Sequence, residues 1–224
     1  VVGVELSQAF ATLGATVTLL EPGERLIARE EPFASDQVAD GLRAAGVEVR
    51  LSTSAQSVSR SAGGEVRLVL EDGEELVADE LLVAAGRRPN TSQIGLEQFG
   101  FEAGKPLPTD GLLQVEGVDW LYAIGDVNGR SLLTHMGKHQ ARVCARGILG
   151  SSKRELGPLG DGPGSPRVIF TEPQVAAVGH TEASAARAGI AIKIVEASTS
   201  GNAGGSFYGH DAPGTARLLI DSTI

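Results

Sequence analysis

The chain has 224 residues, with 19 Lys and Arg against 28 Asp and Glu and a formal net charge of −9, which argues against nucleic-acid binding because that function needs a basic surface. A single cysteine excludes an internal disulfide, a CxxC redox pair and a multi-cysteine metal site, and no apolar run approaches the ~18 residues of a membrane span. The 42% hydrophobic and 21% charged residues are typical of a soluble globular protein.

The first 51 residues alternate between helix and strand patterns. Apolar residues at helical spacing predict a helix over 4–13, and a β-branched, apolar run predicts a buried strand over 16–20. A second helix is expected over 35–45 and a second strand over 47–51. Such alternation is typical of an α/β domain with a parallel sheet.

A meander follows, and after it an apolar strand. Residues 55–78 alternate around glycine-containing turns at 63–64 and 72–73, which predicts three antiparallel strands. Residues 79–85 (DELLVAA) are almost wholly apolar, as expected of a strand buried on both faces of a parallel sheet.

The remaining sequence is loop-rich, with a few clear elements. We expect short strands over 112–115 and 121–124 and a helix over 133–149. Residues 151–166 are rich in Gly, Pro and Ser and predict a linker. Beyond the linker, the patterns predict strands over 167–170, 191–195 and 216–221 and a helix over 183–189.

The chain opens on residues that match the end of a dinucleotide-binding turn. In such a fold, a G-x-G-x-x-G turn lets pyrophosphate approach a helix N-terminus, and an acidic residue roughly 20 positions on binds ribose hydroxyls. Val1-Val2-Gly3 would supply the last glycine, and Glu21 follows the predicted strand. A helix with an incidental glycine and an exposed glutamate explains this half-motif equally well.

Two later segments place polar groups where ligands of α/β folds bind. In LLVAAGRRPNT, Gly86 and Arg87 follow a predicted strand, at the sheet edge where such ligands lie. In YAIGDVNGRSLLTHMG, Asp126 follows a strand and Thr134 begins a helix, which offers a carboxylate and a helix N-terminus to a flavin. Each of these features also has a commoner, purely structural explanation. Gly86 and Arg87 would form an ordinary turn after a strand, Asp126 would stabilise a turn, and Thr134 would cap a helix.

Together these segments resemble the class I flavoprotein disulfide reductases, the family of dihydrolipoamide dehydrogenase, glutathione reductase and mercuric reductase. VVGVELSQAF is similar to that family's nucleotide-binding helix, LLVAAGRRPNT to its A-x-G-R-x-P-N segment, YAIGDVNG to its FAD-binding segment and VIFTEPQVAAVGHTEASA to the start of its interface domain. The resemblance implies an α/β fold with a Rossmann-like NAD domain and a partial FAD domain, followed by a partial α+β interface domain. The implied limits are 1–91 for the NAD domain, 92–150 for the FAD domain, 151–166 for the linker and 167–224 for the interface domain.

The resemblance also implies which residues bind the cofactors. The expected NAD-binding residues are Gly3, Glu5, Glu21, Ala55, Ala85, Gly86 and Arg87. The expected FAD-binding residues are Asp126, Thr134 and His135. Glu5 would meet the nicotinamide end, and Glu21 would bind the adenosine ribose and favour NAD over NADP, although Arg25 and Arg29 are near enough in sequence to bind a phosphate. No catalytic residue and no metal ligand is implied in this chain.

The implied function is that of an FAD-dependent, NAD(P)H-linked oxidoreductase, which transfers hydride between nicotinamide and flavin and then electrons to a disulfide or similar acceptor. The chain lacks the family's C-x-x-x-x-C dithiol and terminal His-Glu pair, and it opens on Val1 with its one methionine at Met136. We therefore expect an internal piece of a cytoplasmic, homodimeric enzyme, which dimerises through 167–224 and is inactive as this piece alone.

Two other functions remain open. The chain would serve as a catalytically silent nucleotide-binding or dimerising module, or as part of a flavin reductase of the ferredoxin- or rubredoxin-reductase type. The segment VIFTEPQVAAVGHTE argues against the flavin reductase, since that type lacks the interface domain.

Overall fold

The computed structural model describes residues 1–151, 155–157, 160–201, 204–208 and 214–223, and it divides into two compact units. The first unit comprises Val1–Ala85, Val168–Ala176 and Thr181–Ile224, and the second comprises Gly86–Arg167 and Ala177–His180. The first unit is thus assembled from three separate stretches of sequence. Part of the predicted linker 151–166 lies outside the described residues.

Within these ranges the α-helices are α1 (Val2–Thr12), α2 (Pro32–Ala44), α3 (Thr134–Ile148) and α4 (Glu182–Arg187). The strands are β1 (Thr18–Leu20), β2 (Glu48–Arg50), β3 (Ala55–Arg60), β4 (Val66–Leu70), β5 (Glu75–Ala78), β6 (Arg167–Ile169), β7 (Val175–Ala177), β8 (Ile192–Ser198) and β9 (Thr215–Asp221). All four predicted helices are present with shifted ends. The short strand β7 is the one strand that the sequence pattern did not predict.

A parallel strand pair and two helices form the core of the first unit. β1 and β2 pair in parallel, with Leu19 opposite Val49, because α2 connects them as a crossover. Helix α2 begins at Pro32, whose missing N–H costs nothing in a first turn, and it is followed by Gly46 with a φ of +87°. The buried apolar side chains of this core are Val4, Leu26, Ile27, Ala34, Val38, Ala39, Leu42, Val47 and Ile169.

The predicted meander over 55–78 is present. β3, β4 and β5 form an antiparallel sheet in that order. The two turns contain Gly64 and Gly73, whose φ values of +92° and +88° favour glycine. In β4, alternate side chains are buried on one face of the sheet, as the period of two requires.

The prediction of a buried strand over 79–85 is wrong. These residues form no strand and are exposed, with 74% of Val83 accessible to solvent. A strand needs a neighbour that satisfies its backbone hydrogen bonds, and no described strand pairs with this segment. Apolar composition alone could not supply that partner, because strand pairing is a non-local property.

The short strands predicted over 112–115 and 121–124 are reduced to isolated bridges, and the second segment ends at the exposed Ile124. The cause is a local turn. One carboxylate oxygen of Asp110 accepts hydrogen bonds from the amides of Leu112 and Gln114, both at 2.9 Å, so the backbone bends there. The bridges join Thr109 to Val115 and Gln114 to Tyr122.

In the second unit, α3 packs against a short 3₁₀ turn, Gly125–Asn128. The two backbones approach closely, because a Cβ atom built on Gly137 would lie 3.3 Å from the Cα atom of Gly125. A second contact of α3 buries Cys144 against Leu113 and Leu156. The helix therefore fixes the turn in place.

The C-terminal elements form two strand pairs, of which β8 and β9 are antiparallel, and one short helix. β8 and β9 pair along all seven residues of each strand, and β6 pairs with β7. Helix α4 begins at a capping box made by Thr181 and Ser184. No helix in the described ranges has both the length and the apolar character that a bilayer crossing requires.

Candidate functional site

Gly3, the first residue expected to bind NAD, lies in the first turn of α1, on the side of the helix that faces Leu19 and Ala84. A Cβ atom at this position would lie 3.5 Å from the Cβ atom of Ala84 and 3.7 Å from the Cδ1 atom of Leu19. The helix therefore packs at van der Waals distance on β1 and on the segment after β5. The N-cap residue Val1 offers no side-chain hydrogen bond, so the first amides of α1 have no side-chain cap.

Glu21 follows β1 and is held by its backbone and its side chain. Its amide donates to the carbonyl of Arg50 at 3.0 Å, and its Oε1 atom accepts from the amide of Gly23 at 2.8 Å. The Oε2 atom accepts no hydrogen bond from the described residues. The carboxylate therefore keeps one oxygen for a ligand hydroxyl at the carboxyl end of a parallel strand.

The structure gives Arg25 a different role from phosphate binding. Its Nη1 atom donates to the carbonyl of Glu30 at 2.9 Å, and its Nη2 atom donates to the carbonyl of Ala28 at 2.7 Å. These bonds close the loop around Ile27, which has an unusual positive φ of 43° for a β-branched residue. Arg29 is exposed.

Glu5, expected near the nicotinamide, accepts a hydrogen bond from the backbone. Its Oε1 atom lies 2.9 Å from the amide nitrogen of Phe170. One turn later, Gln8 accepts from the amide of Glu172 at 2.6 Å and donates to the carbonyl of the same residue at 3.0 Å. Helix α1 therefore holds the segment after β6 with three side-chain bonds. Gln8 was not among the residues expected from the sequence, because its partner is distant in sequence.

Three further residues expected to bind NAD are exposed and have no polar side chain. Ala55 is the first residue of β3 and pairs with Leu70. Ala85 and Gly86 follow the unpaired segment after β5, and Gly86 has a φ of +138°. These residues offer backbone groups to a ligand.

Arg87 and Asp126 form an ion pair, which brings together residues expected at two different cofactors. The Nη1 atom of Arg87 lies 2.6 Å from the Oδ2 atom of Asp126, and about half of each side chain is exposed. Asp126 belongs to the 3₁₀ turn, which begins at Gly125 with a φ of +76°. The second carboxylate oxygen of Asp126 receives no hydrogen bond from the described residues.

A buried glutamine holds this turn from the side of α3. The Oε1 atom of Gln140 accepts from the amide of Gly125 at 2.7 Å and from the Nδ2 atom of Asn128 at 2.9 Å. Gln140 was not among the residues expected from the sequence. The signal that would have found it is a polar residue four positions from both Met136 and Cys144, on the buried face of a helix.

Thr134 and His135 begin α3. The N-cap residue Leu133 makes no side-chain hydrogen bond, and Thr134 is exposed. A helix N-terminus carries unpaired amides and partial positive charge, so it suits an oxygen that gains negative charge. The ring nitrogen Nε2 of His135 lies 2.7 Å from the carbonyl oxygen of Pro166, which fixes the ring.

The second unit therefore offers a flavin a partly exposed carboxylate on a fixed turn and a helix N-terminus without a side-chain cap. A Cβ atom built on Gly125 would meet nothing within 4 Å, so the turn is open to a ligand. These features fit the ribityl chain and the ring edge of FAD. In the first unit, Glu21 and the N-terminus of α1 fit the ribose and pyrophosphate of NAD.

No group of three His, Cys, Asp or Glu side chains in the described ranges is placed to hold a metal ion. Burial, and next the charge of Asp110, raise the pKa of the Cys144 thiol, which keeps it protonated and weakly nucleophilic.

Two family models match the chain in adjacent regions. Residues 1–141 match the pyridine nucleotide-disulphide oxidoreductase model, and residues 165–223 match the dimerisation-domain model of the same family. Members of this family use FAD, with NAD(P)H as the electron donor.

Curated relatives include dihydrolipoyl dehydrogenases and a mercuric reductase. The dihydrolipoyl dehydrogenase of Staphylococcus aureus is 36% identical over 200 residues, and that of Chlamydia muridarum is 37% identical over 199 residues. These alignments cover 86% and 88% of this chain and 41% of each enzyme. The mercuric reductase of Staphylococcus aureus is 32% identical over 196 residues, covering 86% of this chain and 35% of that enzyme. The chain therefore spans less than half the length of these relatives.

Solved structures support the same assignment. The HOCl-induced flavoprotein disulfide reductase RclA from Escherichia coli superposes with a TM-score of 0.83 at 28% identity, over 99% of this chain and 50% of that one. LpdA from Mycobacterium tuberculosis shares the fold, with a TM-score of 0.84 at 24% identity, over 99% of this chain and 47% of that one. The expected α/β fold and the resemblance to flavoprotein disulfide reductases are confirmed. The chain belongs to the pyridine nucleotide-disulphide oxidoreductase family.

Proposed function

We propose that the full-length protein carrying this sequence is an FAD-dependent oxidoreductase, which transfers hydride between NADH and the flavin and passes electrons to a disulfide or similar small-molecule acceptor. The observation that carries this proposal is the carboxylate of Asp126, on a turn packed against the uncapped helix α3. The similarity to dihydrolipoyl dehydrogenases and a mercuric reductase supports the reaction class.

On the flavin side, each residue has one task in this proposal. Asp126 accepts hydrogen bonds from the ribityl hydroxyls, and the backbone amide of Thr134 meets the oxygen-bearing edge of the flavin ring. His135 lies beside that edge, with its ring held by Pro166. Bound FAD supplies the two-electron chemistry, while the partial positive charge of the α3 N-terminus favours the reduced, more negative ring.

On the nicotinamide side, seven residues bind NAD in this proposal: Gly3, Glu5, Glu21, Ala55, Ala85, Gly86 and Arg87. Glu21 binds the adenosine ribose through its Oε2 atom and repels a 2′-phosphate, which makes NAD the preferred coenzyme. Glu5 meets the nicotinamide end through its Oε2 atom, because its Oε1 atom already accepts a hydrogen bond from the amide of Phe170. Arg25 plays no part, because its hydrogen bonds to the carbonyls of Glu30 and Ala28 hold its guanidinium in the loop around Ile27.

The domain limits that go with this function are also proposals. Residues 1–91 form the NAD domain, 92–150 belong to the FAD domain, 151–166 link the domains and 167–224 form a homodimer interface. The match of residues 165–223 to a dimerisation domain supports the last of these. Exposed apolar side chains on β8 and β9 suit such an interface; they are Ile194, Val195, Leu218 and Ile220. We place the enzyme in the cytoplasm, where the pool of pyridine nucleotides lies.

The test is a comparison of wild-type and Asp126→Ala protein, both produced from the complete reading frame. Wild-type protein should be yellow and oxidise NADH with a disulfide or a dye as acceptor, and Asp126→Ala should lose most of its flavin. Colourless wild-type protein that binds no added FAD would refute the proposal. A flavin content unaffected by Asp126→Ala would refute the role of Asp126.

A further inference from the structure

The turn that carries Asp126 depends on one fully buried side chain. Gln140 has no solvent exposure, and its Oε1 atom accepts hydrogen bonds from both ends of the turn, at Gly125 and Asn128. Asn128 is itself buried and donates to the carbonyl of Ala123 at 3.0 Å. A single amide oxygen therefore joins the residues that flank Asp126 to helix α3.

The orientation of the Gln140 amide follows from its partners. Gly125 presents an N–H group, and the Nδ2 atom of Asn128 also donates, so both partners need the oxygen of Gln140. The Oδ1 atom of Asn128 is taken by the amide of Arg130 at 3.0 Å, which fixes the asparagine in turn. The Nε2 atom of Gln140 is buried and has no hydrogen-bond partner among the residues that the structure describes.

A buried N–H donor without a hydrogen-bond partner lowers the stability of the protein, and an apolar side chain of similar size would avoid this loss of stability. The same apolar side chain would leave the amide of Gly125 without its acceptor. The contribution of Gln140 to the turn therefore comes from its Oε1 atom, which accepts both hydrogen bonds. The oxygen prevents the turn from moving away from α3, while the close contact between Gly125 and Gly137 prevents it from moving closer.

We propose that Gln140 is a positioning residue for the flavin, which it does not itself touch. It fixes Asp126 relative to Thr134, because Gln140 lies six residues after Thr134 on the same helix, about 9 Å along its axis. The carboxylate for the ribityl chain and the helix N-terminus for the flavin ring are thereby held at one separation. The inference rests on the proposed function.

The experiment measures the FAD dissociation constant of the full-length apoprotein by quenching of flavin fluorescence. Gln140→Met keeps the side-chain length but removes the acceptor, and it should weaken FAD binding about tenfold. Gln140→Glu keeps an acceptor for both donors, and it should bind FAD within about threefold of wild type. Ala145→Met is the matched control, because it changes an exposed position of the same helix.

A double-mutant cycle separates positioning from general stability. In an Asp126→Ala background, Gln140→Met should cost about twofold or less, because the group that it positions is gone. An equal loss with and without Asp126 would overturn the proposal, as would unchanged FAD binding in Gln140→Met. If Gln140→Met does not fold, Gln140→Leu, which also removes the acceptor, takes its place: weakened FAD binding supports the proposal, and unchanged binding overturns it.

These outcomes also distinguish a failure of the role of Gln140 from a failure of the proposed flavin-binding function. If Asp126→Ala weakens FAD binding and Gln140→Met does not, only the role of Gln140 fails. If wild-type protein binds no FAD, or Asp126→Ala binds it normally, the proposed flavin site fails and the role of Gln140 fails with it.

Discussion

The guanidinium of Arg87 and the carboxylate of Asp126 are 2.6 Å apart, although the sequence associates the arginine with NAD and the aspartate with FAD. The pair leaves the Oδ1 atom of Asp126 for a ligand and sets the direction in which that atom points. A change at Arg87 should therefore affect flavin binding as well as nicotinamide binding.

The first prediction concerns that ion pair. In full-length protein, Arg87→Gln should weaken FAD binding about two- to fivefold, since exposed ion pairs contribute modestly. The loss should shrink as NaCl is raised, because salt screens exposed charges. Fluorescence titration measures both effects, and Arg88→Gln is the control because Arg88 is the exposed neighbour. A rise in the KM for NADH with unchanged FAD binding would show that Arg87 serves the nicotinamide side alone.

The second prediction concerns coenzyme choice. Wild-type enzyme should have a higher kcat/KM with NADH than with NADPH, and Glu21→Arg should erode or invert that ratio by exchanging repulsion for attraction at the 2′-phosphate. Arg25→Met should leave the ratio unchanged and lower stability, because Arg25 binds the carbonyls of Ala28 and Glu30. Steady-state kinetics with both coenzymes test these statements. A preference for NADPH in the wild type would contradict the role of Glu21.

The third prediction concerns Cys144. Burial, with a contribution from Asp110, raises the pKa of its thiol, so iodoacetamide at pH 8 should label it slowly in folded protein and rapidly in urea. Folding favours the protonated thiol. Its contribution to stability is therefore complete below the pKa of the unfolded thiol, about 8.5, and is lost as pH rises through the folded value. Mass spectrometry of the labelled peptide checks the rates, and fast labelling of folded protein would contradict the burial.

The fourth prediction concerns an ion cluster around Arg217 of β9. The side chains of Arg217 and Glu31 are only 17% and 12% exposed and lie 3.2 Å apart. Glu196 and Glu182 also contact the guanidinium, at 2.6 Å and 3.7 Å. Arg217 further stacks over the ring of Phe33, with its Cζ atom 4.6 Å from the centroid.

Arg217→Met should leave three neighbouring carboxylates without their shared cation and lower the free energy of unfolding by about 2 kcal/mol. Urea denaturation of the full-length protein measures the change. Arg67→Met is the control, because Arg67 pairs with Glu75 on an exposed surface and should matter little. Equal losses in the two variants would show that the cluster contributes no more than a surface pair.

Local patterns in the sequence predicted the local structure well. The helical spacing around Val4 and the β-branched residues after Thr16 produced α1 and β1, and the turns at Gly64 and Gly73 produced the meander. These features depend on residues that are close in sequence. The segment 79–85 failed because its structure depends on a partner strand, which its own composition does not contain.

The sequence predicted which residues belong to the candidate site, but it did not predict the contacts that these residues make. Asp126 and Thr134 lie on the turn and the helix that the motif indicated. The bond between Glu5 and the amide of Phe170 joins positions 165 residues apart, and no periodicity reports it. Gln140 was visible in principle, since a polar residue inside an apolar helix face requires a buried partner.

The apolar core of the first unit includes Ile169, which is 2% exposed and packs with Val4 and Leu42. A ribosome delivers residues in order, at roughly 5–20 per second, so α1 and α2 emerge several seconds before this side chain exists. Until then the core contains an unfilled cavity at the position of Ile169. Glu5 and Gln8 also lack their hydrogen-bond partners, the amides of Phe170 and Glu172. The nascent first unit should therefore stay sensitive to proteases until translation has passed residue 172.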